Sequence, residues 1–277
     1  MKKVFLFFFA AVFAAFGTSA CSADNGIKVM SYNIRMGVAK DGDNSWQYRC
    51  PATIAMLQAV RPDVFGVQEA YDFQVAYIDE NMPVYKSVGV GREDGKSEGE
   101  HMSIFYDTTK VSLLDWGTYW LSETPDVPSK GWGAACKRTA TWAKLKLNAT
   151  GKEFFYVNTH LDHVSDLARK NGLALVVNEI AKMNPDGYPM VLTGDFNITP
   201  DSDNLVDLNK IMKSARNTAA TTGTKGSYNG YGRSDSEIDY IYYSGFGKCT
   251  TFTVHDEDYL GIPYISDHYP ISATLEW

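Results

Sequence analysis

The sequence predicts a mixed α/β protein with two or more layers. Apolar runs rich in β-branched and aromatic residues recur along it, stretches with helical spacing lie between some of them, and neither a linker nor an internal repeat divides residues 25–277. Composition agrees. With 277 residues, 44% of them hydrophobic and 21% charged, the chain can bury a sizeable core, which excludes wholesale disorder.

Taken in order, the strand-like runs are 27–34, 63–67, 84–90, 102–106, 111–121, 141–147, 154–159, 189–193, 238–243, 250–254 and 271–277. Residues 46–60 carry Ile54, Leu57 and Val60 on one helical face. Residues 167–183 carry Ala174, Val177, Ile180 and Ala181 in the same way. Weaker helical patterns cover 71–82 and 202–212. Three stretches read as long loops: 91–100, 122–137 and the Gly-, Ser- and Tyr-rich 221–237. Loops of this length in a compact protein are usually binding loops or disordered ones. The first and third precede segments with candidate catalytic residues, which favours binding.

The first residues read as a targeting leader. Met1-Lys2-Lys3 is basic, 4–16 is an apolar run too short to span a bilayer, and Gly17-Thr18-Ser19-Ala20 supplies small residues before Cys21. Residues 1–21 are therefore expected to be a signal peptide, and 25–277 a single catalytic domain outside the cytoplasm. Cys21 resembles a bacterial lipoprotein attachment site, although Thr18 stands where Leu is usual. Plain cleavage near Ala20 or Ala23 is the alternative, so the expected location is a cell-envelope lipoprotein or a periplasmic or secreted protein. Cys50, Cys136 and Cys249 fit no zinc spacing and are taken as structural, with at most one disulfide among them.

Net charge is −7, from 26 Lys and Arg against 33 Asp and Glu. That argues against coating nucleic acid by electrostatics alone. It does not exclude a phosphate-processing enzyme, because a bound divalent cation locally reverses an acidic field.

Six polar signatures interrupt the strand pattern. They are Ser31-Tyr32-Asn33-Ile34-Arg35, Gln68-Glu69, Asn158-Thr159-His160-Leu161-Asp162-His163, Gly194-Asp195-Phe196-Asn197, Ile238-Asp239-Tyr240 and Ser266-Asp267-His268-Tyr269-Pro270. Each alone has a bland reading, as a turn, a cap or a strand ending. Together they offer oxygen donors and imidazoles where α/β sheets place ligand sites. That set suits a hard cation plus acid–base work on a phosphate ester, since Mg²⁺ takes oxygen ligands and usually only one or two carboxylates.

In order and wording these motifs resemble the endonuclease/exonuclease/phosphatase superfamily over essentially all of 27–277. The resemblance implies a deoxyribonuclease I-like four-layer α/β/β/α sandwich: two mixed β-sheets flanked by helices, with the active site where both sheets end. It implies Glu69 as principal metal ligand, with Asn33 nearby and Asp267 helping. Asp195 resembles the carboxylate that orients or deprotonates the attacking water, and Asn197 the amide that holds the phosphate. His268 resembles the catalytic histidine, Asp239 its orienting carboxylate and His160 a second histidine donating to the phosphate or leaving oxygen. Arg138, in Cys136-Lys137-Arg138-Thr139, resembles a phosphate-contacting arginine. Arg35 stands where abasic-site nucleases carry a carboxylate, which is closer to deoxyribonuclease I. Residues 70–71 replace that enzyme's DNA-contacting arginine, and the Leu-Asp-His continuation is similar to deadenylases and secreted bacterial members.

The resemblance thus implies a hydrolase of phosphate esters that uses Mg²⁺, with Mn²⁺ as a substitute, and in-line attack by an activated water. Phosphodiesters, nucleic acid first among them, lead as substrate. A phosphatase or phospholipase C-like enzyme acting on sugar phosphates, inositol phosphates or sphingomyelin headgroups is the alternative. An inactive surface binding protein on the same fold is a third reading. Trp120, Trp132, Tyr228 and Tyr231 are candidates to stack on bases or sugar rings, and Gly131-Trp132-Gly133 is a candidate membrane-inserting loop. No protein partner is expected.

Overall fold

In the first strand successive side chains point to opposite faces, and both faces are apolar. Ile27 and Val29 face one way; Met30, Tyr32 and Ile34 take part in a different cluster. A strand buried on both sides needs a layer on each side of its sheet. The computed structural model describes residues 26–277 and supplies both layers. The expected leader and Cys21 lie outside the described residues.

The strands are β1 (Gly26–Asn33), β2 (Val64–Gln68), β3 (Ala70–Tyr71), β4 (Tyr85–Val88), β5 (Glu100–His101), β6 (Ile104–Asp107), β7 (Val111–Trp120), β8 (Thr139–Leu147), β9 (Glu153–His160), β10 (Met190–Asp195), β11 (Lys213–Ser214), β12 (Thr221–Thr222), β13 (Asp239–Ser244), β14 (Lys248–Val254) and β15 (Ile271–Glu276). The helices are α1 (Trp46–Val60), α2 (Asp72–Asn81), α3 (Asp166–Met183), α4 (Val206–Ile211) and α5 (Ala215–Thr218). Every strand-like run of the sequence coincides with a strand. The 202–212 pattern splits into a 3-10 turn, Asp203–Leu205, and α4.

One sheet runs β12-β14-β15-β1-β2-β6-β4 and the other β11-β13-β10-β9-β8-β7. Both are mixed: β1 is parallel to β2 but antiparallel to β15, and β10 is parallel to β9 but antiparallel to β13. Ile27, Val29, Val64, Leu145, Phe154, Tyr156, Val191 and Ile271 fill the space between the sheets. Met56, Leu57 and Ile78 of α1 and α2 pack with Phe65 and Phe105 on the first sheet. Leu173, Val176 and Ile180 of α3 pack with Val157 and Leu192 on the second. The result is a four-layer α/β/β/α sandwich.

Toward one end the material between the sheets turns polar. Gln68 Nε2 donates to Ser31 Oγ (3.1 Å) and Asn158 Oδ1 (2.7 Å), and Asn158 Nδ2 donates to the Val67 carbonyl of the opposite sheet (2.8 Å). Asn158 comes so near that a Cβ on Gly66 would lie 2.4 Å from its side chain, so only glycine fits there. Buried side chains hydrogen-bonded from one sheet to the other in this way favour one arrangement of the sheets. They set the relative position of the strand ends just beyond them.

Helix ends are fixed locally. Ser165 Oγ accepts from the Ala168 N–H at the start of α3, an N-cap that contributes about 1 kcal/mol. In α1, Pro51 has no N–H to donate, and the Cys50 thiol donates to the Gln47 carbonyl instead (3.7 Å). Cys50, Cys136 and Cys249 are all free thiols. Among the described residues no helix is long and apolar enough to cross a membrane.

Candidate functional site

Strand direction and register bring the six signatures together. β1 and β2 are parallel with Asn33 paired to Gln68, so Asn33 and Glu69 emerge side by side from the first sheet. In the second sheet Asp195 is the register partner of His160 on β9 and of Asp239 on β13. Asp239, which the sequence places inside an apolar run, is the first residue of its strand. Asp267 and His268 arrive on the segment leading into β15.

Asn33 links the two sheets through their carboxylates. Its Nδ2 donates to Glu69 Oε1 (3.1 Å) and Asp195 Oδ2 (3.0 Å), while its Oδ1 accepts from the Arg35 N–H. Asp195 Oδ1 accepts from the Asn197 N–H (2.9 Å), and its Oδ2 lies 3.4 Å from His160 Nε2 and 3.7 Å from His268 Nε2. The Nδ1 of His268 is 2.8 Å from Asp239 Oδ2, the expected dyad. Arg35, Glu69 and Asn197 have φ of 59°, 61° and 50°. Non-glycine residues in this left-handed region cost about 1–3 kcal/mol each, and such strain collects where the surrounding structure holds functional groups.

The charges are mutually set. Burial alone disfavours a charged His268, but the Asp239 and Asp195 carboxylates outweigh it and push its pKa up to about 10. Asp195 is pushed up to about 7, first by burial and then by the neighbouring Asp239 charge. His160 is held well below its ordinary range by burial and by the Arg138 and Arg92 charges, so it is neutral. His160 Nε2 lies 3.1 Å from Asn197 Nδ2, and the buried Nδ1, 4.0 Å from Glu100 Oε2, makes no hydrogen bond. Its Nε2 thus faces both the Asn197 amide and the Asp195 carboxylate at the centre of the site.

The groups line a cavity of about 410 Å³. Arg138 lies along it at 5% side-chain exposure. Its Nη2 contacts His163 Nδ1 (2.9 Å), but its buried Nε and Nη1 have no hydrogen-bond partner. A buried guanidinium with two unmet donors is a ready receptor for an anion. All three long loops contribute. Loop 91–100 brings Arg92 and Glu100, joined by a 2.6 Å ion pair; loop 122–137 brings Cys136; loop 221–237 brings Tyr228. The first loop is tied to the second by Lys137 on Glu93 (3.1 Å), and to the end of β7 by Trp120 Nε1 donating to the Arg92 carbonyl (2.7 Å).

Sequence reasoning did not single out Arg92, Glu100, Asp162 or Asp41 as site residues. The available signal for the first two was an arginine and a glutamate bracketing a glycine-rich loop. Asp162, two residues past His160, accepts from the Ala135, Val164 and Ser165 N–H groups. Burial works against its charge, but these bonds hold its pKa down. It thereby pins the loop that carries Cys136 to the end of β9. Cys136 is thus a cavity-lining residue, where the sequence suggests a purely structural one.

The aromatic candidates divide. Trp120 is 5% exposed and Trp132 packs against the second sheet's helix-side cluster, so Gly131-Trp132-Gly133 forms no projecting apolar loop. The Tyr231 hydroxyl donates to Asp41. Tyr228 alone of the four lines the cavity, its ring 4.9 Å from that of His268.

A divalent cation suits the donor set. Glu69, Asp195 and Asp267 line the same cavity, and Glu69, His160 and Asp195 offer ligand atoms within 4.8 Å of one another. Asp267 is pushed up by burial, and the Glu69 charge adds to the rise. Several carboxylate oxygens converging in this way fit a hard cation.

The model of the endonuclease/exonuclease/phosphatase family matches residues 30–268. The chain is 36% identical to an endonuclease/exonuclease/phosphatase from Bacteroides vulgatus of known crystal structure, covering 91% of this chain and 98% of that one, with a TM-score of 0.86. It is 33% identical to the mannosyl-6-phosphatase Bt3783 of Bacteroides thetaiotaomicron, covering 91% and 100%, with a TM-score of 0.87. An uncharacterized protein of Acanthamoeba polyphaga mimivirus is 23% identical over 269 residues, 90% of this chain and all of the other.

Proposed function

The chain belongs to the endonuclease/exonuclease/phosphatase family of phosphoric ester hydrolases, and on that footing we propose that its substrate is a phosphate monoester of a small polyhydroxy compound, a sugar phosphate above all. The observation that carries this reading is the charged group in the cavity lining where Glu100 Oε2 lies 2.6 Å from Arg92 Nη1 and 3.9 Å from Arg138 Nη1. A fixed guanidinium–carboxylate pair supplies both donors and acceptors for sugar hydroxyls, while the unmet donors of Arg138 suit phosphate oxygens. Support comes from the full-length similarity to a mannosyl-6-phosphatase. The scarcity of stacking aromatics at the cavity and the acidic net charge weigh against a nucleic-acid track. Tyr228 beside His268 is the observation that keeps the phosphodiester reading in the test.

Each residue has its share of the chemistry. Glu69 and Asp267, with Asn33 fixing Glu69 and Asp195 in place, would hold the cation, Mg²⁺ in our reading. When bound, the cation neutralises charge on the phosphate. Asp195, with its raised pKa, takes the proton of the attacking water. His268, kept protonated by Asp239, presents positive charge to the phosphoryl oxygens as the negative charge on them shifts in the transition state. Asn197 adds its amide, and Arg138 orients the ester.

A panel of hexose 6-phosphates, p-nitrophenyl phosphate, bis-p-nitrophenyl phosphate and single-stranded DNA tests the substrate class. Hexose phosphates are expected to give the highest kcat/KM; preference for either diester would overturn the reading. Arg92→Met should lower kcat/KM on hexose phosphates about 100-fold and on p-nitrophenyl phosphate less than tenfold, the loss of one or two polar contacts that the aryl ester never makes. Equal losses on both would remove Arg92 from sugar recognition.

Chelation tests the cation. EDTA should abolish activity, with Mg²⁺ or Mn²⁺ restoring it, and Glu69→Ala should raise the Mg²⁺ requirement sharply. Full activity of Glu69→Ala at low Mg²⁺ would remove Glu69 as a ligand. The targeting expectation also stands as a proposal: a lipidated Cys21 would hold the protein on membranes, and Cys21→Ala would release it.

A further inference from the structure

We infer that Arg35 is a resident counter-cation between the candidate metal ligands, and that a divalent ion must compete with its guanidinium for Glu69 and Asp267. The inference rests on the metal reading of the site above. Its ground is the geometry of one side chain. Arg35 Nη1 lies 3.9 Å from Glu69 Oε2 and 3.6 Å from Asp267 Oδ2, so one positive group is shared by two carboxylates from different segments. The rest of the guanidinium is held from the other side. Nε and Nη2 donate to the two oxygens of Asp41 at 3.0 and 3.2 Å, and the Tyr231 hydroxyl donates to the same Asp41.

The backbone is shaped for this placement. Arg35 takes a left-handed φ of 59°, its N–H donates to Asn33 Oδ1, and its carbonyl accepts from Gln74 Nε2. The strain sets the arginine at the turn directly after β1, beside Asn33. Its position between two acids has a plain electrostatic consequence. Glu69 and Asp267 repel each other, and something positive must keep them together when no metal is bound. Besides Arg35, the positive group facing both acids is the imidazolium of His268, which is already committed to Asp239. Arg35 therefore preorganises the ligands while supplying the positive charge that a metal ion would otherwise bring. It weakens affinity for divalent ions and keeps Glu69 and Asp267 together without them.

The test is a binding measurement that does not depend on turnover. Metal-free wild type, Arg35→Gln and Arg35→Lys are titrated with Mn²⁺ by calorimetry, and melting temperature is followed with and without Mn²⁺. Removing the charge that lies 3.6 and 3.9 Å from the two carboxylates, in a partly screened site, should tighten Mn²⁺ binding by about tenfold or more in Arg35→Gln. Arg35→Lys, which keeps the charge, should stay near wild type. Metal-free Arg35→Gln should melt below wild type, and Mn²⁺ should close that gap. Asp41→Asn is the second variant: freed from its clamp, the guanidinium turns fully to Glu69 and Asp267, so Mn²⁺ binding should weaken. Unchanged or weaker binding in Arg35→Gln, or tighter binding in Asp41→Asn, would overturn the inference while leaving the metal reading intact. Absence of Mn²⁺ binding by wild type and Arg35→Gln alike would overturn both.

Discussion

His268→Ala should lower turnover by about 10³-fold or more, the usual scale for removing a preorganised charge-stabilising group. The imidazole is bound to Asp239 at 2.8 Å and faces Asp195 at 3.7 Å, so its loss strips positive charge from the centre of the site. The protein should still fold. The hydrogen-bonded partner that the ring leaves behind is Asp239, and an unpaired buried group costs about 1–3 kcal/mol, more for a charged one. Asp239→Asn should cost less than His268→Ala, because the ring and its charge remain available. Its signature is in pH. Burial opposes the charged ring and the two carboxylates raise its pKa to about 10; without the Asp239 charge that pKa falls, and the alkaline limb of the rate profile moves to lower pH. The double variant should be little worse than His268→Ala alone, since the groups act as a unit. Turnover per folded molecule that survives His268→Ala would end this assignment.

The fold was readable because its strands are apolar on both faces. Runs such as 64–67 and 189–192 carry no polar side chain, which points to strands covered on two sides. Exact strand starts were less legible where polar residues belong to the ladder: Asp239 and Lys248 begin strands that their apolar successors define. The short elements β3, β5, β11 and α5 escaped because two- to four-residue pieces have no periodicity; β3 and β5 exist only because they pair with each other.

The candidate site was legible to the extent that strand ends carry it. Asn33, Glu69, His160, Asp195, Asp239 and His268 interrupt apolar patterns, and the parallel and antiparallel registers bring them to one edge. Arg92 and Glu100 belong to a loop that folds on itself, through Arg92 N–H to the Glu100 carbonyl and Gly91 N–H to the Lys96 carbonyl. Nothing in a linear pattern says which way such a loop turns its charges. Asp41 is similar: an exposed-looking acid in a Gly-Asp-rich stretch, it becomes the clamp of Arg35 only once the turn after β1 doubles back.

Asp195→Asn should likewise lose about 10³-fold or more in turnover, and its stability should move the other way. In the metal-free protein Asp195 is buried at 2% exposure beside Asp239, and both burial and that charge push its pKa up to about 7 from an ordinary 3.8. The folded state thus binds this proton more tightly than the unfolded chain does. Asp195 therefore takes nothing from stability below pH 4, and its cost grows as pH rises through the window from about 4 to 7, where only the unfolded chain has released the proton. An isosteric amide removes the charge and the cost together. Metal-free Asp195→Asn should accordingly melt at or above the wild-type temperature at pH 8 and gain little at pH 4. Activity and stability moving in opposite directions at one residue is the expected mark of a group kept strained for its chemistry. The carboxylate owes its proton affinity near pH 7 to that unfavourable setting, and an ordinary surface aspartate would be too weak a base to take a proton from water. A variant within tenfold of wild-type turnover would remove Asp195 as the base. A melting temperature that falls equally at pH 4 and pH 8 would make it a structural residue.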